Sequence, residues 1–130
     1  MPMESTSRDV PKSLRVWFVI HFVLDIIIAI PMLLVPELLL PLIGWSVVDP
    51  ITSRLVGAAL LGIGVESLLG RNASRDVFKA MLNLKILWAS GAILGIGLGL
   101  VAGGPPIAWL FLAIFIGFLG LWAYYRVKLR

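Results

Sequence analysis

His21 and Asp25 stand four residues apart in HFVLDIIIAI (21–30), a run that is otherwise apolar. At that spacing a histidine and a carboxylate face the same side of a helix and can share a hydrogen bond or a proton. Three more ionisable residues interrupt apolar stretches further on: Arg54, Glu66 and Lys85. Where lipid is the solvent such groups cost about 2.5–3.5 kcal/mol each at mid-bilayer, so they face a bundle interior, a partner or water. The chemistry open to them is proton transfer between carboxylate and imidazole, or binding of a proton, a cation or a polar head group.

Other chemistries are excluded by residue type. There is no cysteine, which removes disulfides, thiolate metal sites and cysteine nucleophiles, and a single histidine removes a multi-histidine metal or haem site within one chain. No metal or cofactor is therefore expected. The chain has no Walker loop, no H-E-x-x-H and no G-x-S-x-G. GIGLGLVAGG (95–104) is rich in glycine but ends an apolar run and follows no strand, so it is not a dinucleotide site.

The elements that must position these residues follow from composition. Of 130 residues, 60% are hydrophobic and 14% charged, with a mean hydropathy of +1.03. A water-soluble domain this small has too much surface to hide that much apolar area. A spanning helix needs about 20 mostly apolar residues. Four segments qualify, at about 14–35, 51–70, 77–101 and 106–125, which predicts an all-α polytopic membrane protein with four transmembrane helices in an antiparallel bundle. A polar amino-terminal segment (1–13) precedes this single membrane domain (14–125), and a basic tail (126–130) follows it.

Nine of the eleven basic residues fall in three clusters: Arg8, Lys12 and Arg15; Arg71, Arg75 and Lys79; and Arg126, Lys128 and Arg130. That distribution is the positive-inside pattern and not a nucleic-acid groove, so no nucleic-acid partner is expected. It places both termini and the 71–76 loop on the cytoplasmic side of an inner- or plasma-type membrane. Trp17, Trp122, Tyr124 and Tyr125 are expected as anchors at the inner boundary, with Trp45 and Trp109 at the outer one. Between the first two spans PELLLPLIGW (36–45) is too short to cross and predicts an interfacial helix with Glu37 toward water. Asp49 and Pro50 suit the cap and first turn of the second span, and Arg54 is expected to snorkel or pair with Asp49.

Counting along the spans puts His21 about 10 Å, Asp25 about 16 Å, Lys85 about 12 Å and Glu66 about 6 Å in from the cytoplasmic edge. His21 and Asp25 are thus expected to meet Lys85, with Glu66 close below. The cluster is either a staple that fixes helix register or the lining of a polar pocket open to the cytoplasmic leaflet. Asn83 is expected to join Ser90 on a separate helix contact. Glycine permits the closest approach of spans. Gly91, Gly95 and Gly99 form a repeated G-x-x-x-G stripe, and Gly62 stands with Ala59, Glu66 and Gly70 on the second span. These stripes pack either the chain's own bundle or a homo-oligomer.

Three functions fit this layout. The first is a small membrane binding or transport module whose cluster of His21, Asp25, Glu66 and Lys85 binds a proton, cation or amphipathic ligand. The second is a non-catalytic accessory or scaffold subunit of a larger membrane complex. The third is a lipid- or sterol-modifying enzyme that uses the buried carboxylates.

Overall fold

The computed structural model describes residues 10–130; Arg8 and most of the polar amino-terminal segment lie outside the described residues. Five helices follow in chain order: α1 (Lys12–Leu34), α2 (Pro36–Leu42), α3 (Pro50–Leu69), α4 (Arg75–Val101) and α5 (Ile107–Lys128). The described residues contain no strand. All four helices other than α2 are long and apolar enough to cross a membrane, which suggests membrane residence. Large apolar side chains stand exposed around their outer faces, among them Ile27, Leu55, Leu87, Leu98 and Ile116. Lipid, not water, suits a surface of that kind.

Local chemistry fixes the helix boundaries. The Asp49 carboxylate accepts from the amides of Ile51 (2.9 Å) and Thr52 (3.0 Å), and Pro50 occupies the first turn where its missing N–H costs nothing. Those two bonds hold the Asp49 carboxyl below its ordinary range. Ser74 caps α4 in the same manner through the Val77 amide. Between α4 and α5 the chain turns at Gly103, whose φ of +93° is strained for any side chain, and the Gly104 amide closes back on the Gly99 carbonyl at 2.9 Å.

The helices pack as two tight pairs, α1 with α3 and α4 with α5. Two glycines let α3 approach α1. A methyl at Gly57 would lie 2.8 Å from the Leu33 backbone nitrogen, and one at Gly64 would lie 2.8 Å from Asp25 Cβ. The two are seven residues apart and so share a face of α3. The glycines of the sequence stripes behave differently: a methyl at Gly62, Gly91, Gly95 or Gly99 would meet nothing within 4 Å among the described residues.

One end of the molecule, where α1 begins and α5 ends, is solid. Leu14, Phe18, Phe78, Leu82, Trp122 and Leu129 are buried there. Phe18 stacks near Phe78 (4.6 Å between centroids) and meets Trp122 edge-on (5.7 Å). Polar ties surround this plug. Tyr125 donates to Ser13 at 2.7 Å, Arg15 donates to the carbonyls of Arg71 (2.6 Å) and Ala73 (3.3 Å), and Arg75 reaches the Arg130 carbonyl.

Several sequence expectations are corrected here. Trp122 and Tyr125 are core residues, not boundary anchors, because the plug needs their bulk. Arg54 pairs with Glu37 (2.8 Å) rather than with Asp49, whose carboxylate is already taken by the cap. Glu37 therefore braces α2 against α3, and its carboxyl is held down chiefly by the Arg54 hydrogen bond. Asn83 accepts from Arg126 at 2.8 Å, joining α4 to α5 near the basic tail instead of meeting Ser90.

Candidate functional site

Lys85, on the buried face of α4 with Met81, Leu82 and Ala89, is 3% exposed. Its four-carbon stem carries the ammonium out of its own helix pair and into the other. There Nζ lies 2.7 Å from His21 Nδ1 on α1 and donates to Ser67 Oγ on α3 at 2.5 Å. The Ser67 hydroxyl, having accepted from lysine, donates its own proton to the Ile63 carbonyl at 2.8 Å. Two aromatic faces complete the ammonium's surroundings, Phe18 at 4.7 Å and Trp122 at 5.1 Å from Nζ. A lysine nitrogen offers only donors, so His21 Nδ1 must accept and the ring proton belongs on Nε2. Nε2 faces Asp25 Oδ1 at 3.4 Å. The polar chain therefore runs Ser67, Lys85, His21, Asp25: Lys85 donates to Ser67 on one side and to His21 on the other, and His21 Nε2–H points on to Asp25.

Of the residues singled out in the sequence, His21, Asp25 and Lys85 are thus brought together, with histidine bridging the other two. Glu66 is not part of this chain. It is exposed and lines a separate groove of about 240 Å³ between α3 and α4, on whose wall Lys85 and Ser67 also lie. Position 67, one residue on and 100° further around the helix, is the one that faces inward. Sequence reasoning passed over Ser67 because a lone serine in a span carries no charge and no penalty that demands a partner.

The larger space is a cavity of about 630 Å³ between the two helix pairs. His21, Asp25, Lys85 and Trp122 form its floor, and aliphatic and aromatic side chains such as Ile28, Leu60, Ile96 and Phe115 form its walls. It extends from the floor toward Trp45, Val48 and Asp49, at the end opposite the plug. Phe18, Phe78 and Trp122 fill the direction toward the chain termini, and this cavity lies on the other side of the polar chain.

Two buried polar atoms of cavity-lining residues have no hydrogen-bond partner among the described residues: Asp25 Oδ2 and Trp88 Nε1. One is an acceptor and the other a donor, and such orphans are uncommon in folded proteins because each costs about 1–3 kcal/mol. Asp25 reaches its position because Gly64 has no side chain to displace it.

Comparison with protein families, with curated proteins and with solved structures finds no match for this chain. The site must be read from its own geometry.

Proposed function

We propose that this chain is a small integral membrane binding module: an antiparallel bundle of four spans, both termini cytoplasmic, that holds one amphipathic molecule between its two helix pairs. The polar end of the molecule rests on Asp25, His21 and Lys85, and its apolar part fills the space toward Trp45 and Val48. The observation that carries this reading is the cavity of about 630 Å³, lined mostly by apolar side chains, with His21, Asp25 and Lys85 together at its floor and Asp49, Thr52 and Ser53 toward its other end. Sites for single small molecules fall in the range of roughly 300–1,000 Å³ and combine apolar walls with a few convergent polar groups.

Native mass spectrometry of the full chain released from its own membranes tests this. Wild type is expected to carry one apolar molecule per chain. Ala89→Trp, which fills the space beside Lys85, is expected to lose it while keeping its helical circular dichroism spectrum. Bare protein in both cases, or the same adduct in both, overturns the proposal.

A second reading, an accessory subunit within a homo-oligomer or a larger membrane complex, has one observation in its favour. Gly91, Gly95 and Gly99 stand one turn apart on α4 with open space before them. Cross-linking in membranes, compared between wild type and Gly95→Leu, decides it: an unchanged product pattern removes the glycine stripe as an interface.

A further inference from the structure

The end of the cavity opposite the plug is lined by the segment that joins α1 to α3. Leu40, Ile43, Trp45 and Val48 of this segment face the space. The segment is anchored at both ends, since the Val35 amide bonds to the Pro31 carbonyl at 2.8 Å and Asp49 caps α3. Between these anchors, α2 and the loop after it form a strap.

Little within the strap holds it down. α2 has seven residues, one of them Pro41, which has no amide to give to the helix. So short a helix is marginal without tertiary support. α2 buries only Pro36 and Leu40, while Leu38 is 67%, Leu42 84% and Val47 82% exposed. Lifting the strap therefore breaks few apolar contacts, and an element of that kind opens before the rest of a fold.

Two ties hold the strap, one to each helix pair. Arg54 on α3 donates to both carboxylate oxygens of Glu37 (2.8 and 3.4 Å) and to the Leu34 carbonyl (3.4 Å) at the end of α1. On the other side Trp45 meets Phe111 of α5, with 6.2 Å between ring centroids. The chain turns just before Trp45 at Gly44 (φ +114°), where a methyl would lie 3.5 Å from Pro105 Cβ. The strap thus reaches from one helix pair to the other.

Resting on the binding reading above, we infer that this strap, residues 36–48, is the gate of the cavity. It lifts when Arg54 releases Glu37, and the occupant enters and leaves beneath it. Phe18, Phe78 and Trp122 fill the opposite end. Because the Glu37–Arg54 pair is exposed, salt weakens it and raises the fraction of open gate.

The chain has no cysteine, so one introduced thiol reports access without background. Ala89→Cys places a thiol in the cavity, and Leu82→Cys places one in the plug. Each full-length protein in phosphatidylcholine nanodiscs is labelled with N-ethylmaleimide, and the rate is read by mass spectrometry of the intact chain. Labelling tracks the open population when opening and closing are fast. Adding Arg54→Gln is expected to speed labelling at position 89 about two- to fivefold, the range that an exposed ion pair supplies, and to leave position 82 unchanged. Glu37→Ala breaks the same tie from the other side and is expected to match it, should either variant fail to fold. Raising salt to about 1 M, where the Debye length is about 3 Å, is expected to speed position 89 when Arg54 is present and not in Arg54→Gln. Equal acceleration at both positions overturns the gate, because the pair then braces the whole fold. Unchanged rates at position 89, with labelling there still faster than at 82, also overturn it: entry lies elsewhere and the cavity stands. If position 89 is labelled no faster than position 82 in every protein, Arg54→Gln included, the binding reading fails and this inference with it.

Discussion

Lys85 Nζ lies 2.7 Å from His21 Nδ1, and this contact joins two helix pairs that otherwise meet mainly at the aromatic plug. Lysine and histidine are an unusual couple, since both are potential cations. The arrangement works because the imidazole accepts at Nδ1 and passes its Nε2 proton toward Asp25, so a carboxylate balances the ammonium across the ring.

Replacing Lys85 with methionine keeps the stem and removes the ammonium. Two hydrogen bonds between the pairs are lost, and Lys85→Met is expected to destabilise the protein by about 1–2 kcal/mol, the upper part of the range for polar contacts between spans. Lys79→Met, outside the polar chain, is expected to change stability by under about 0.5 kcal/mol. Unfolding in mixed micelles, followed by near-ultraviolet circular dichroism, provides the comparison. A gain in stability for Lys85→Met would sink the idea that this contact ties the pairs together.

Glycines that look alike in the sequence are expected to respond in opposite ways to a methyl group. Gly64→Ala presses on Asp25, and Gly57→Ala presses on the α1 backbone, so each is expected to cost about 1–3 kcal/mol. Gly95→Ala meets open space and is expected to be neutral or to stabilise by up to about 1 kcal/mol through helix propensity. The same unfolding titration reads all three, and equal effects at Gly57, Gly64 and Gly95 would contradict the packing described.

Glu37, on α2 and outside the spans, pairs with Arg54 in the second turn of α3, and this pair sets an acid limit. Arg54 holds the Glu37 carboxyl below its ordinary value of 4.5. A depressed carboxyl contributes stability that is fully present above the unfolded value and is lost as the pH falls through the lower folded one. Wild type is therefore expected to lose stability as the pH drops below about 4.5. Glu37→Gln is expected to show a shallower decline over that interval, starting from a slightly lower level at neutral pH. Identical acid profiles for the two proteins would remove the pair as a pH-dependent contributor.

The proposed orientation is checked with a reporter fused after Arg130 and, separately, one inserted between Ala102 and Pro105. The first is expected to read as cytoplasmic and the second as external, since the basic clusters flank the spans on one side only. The reverse pattern would overturn the orientation and, with it, the side on which the cavity lies.

The helices were legible because lipid-phase composition is an emphatic signal: four apolar runs, a capping Asp49 followed by Pro50, and prolines that confine α2 to one short helix. The pairing of helices was less so. G-x-x-x-G drew attention to Gly91, Gly95 and Gly99, whereas the close approach uses Gly57 and Gly64, whose spacing of seven carries no comparable signature. In the candidate site, depth and helical face brought His21 and Asp25 toward Lys85, because charged groups in an apolar helix must find company. Ser67 escaped notice because a hydroxyl can satisfy itself on its own helix, as it does with Ile63. The cavity was invisible for a different reason: its volume arises from the splay between two helix pairs, a property of no single segment.

The aromatic plug has a kinetic consequence. Phe18, Phe78 and Trp122 stop the space at one end, so an occupant of the kind proposed above would have to enter and leave without passing them. On the binding reading proposed above, such a chain would hold and exchange an occupant without conducting it past the plug. Vectorial movement would require the plug to part, and the strength of its ring contacts then becomes the barrier that separates a reservoir from a conduit.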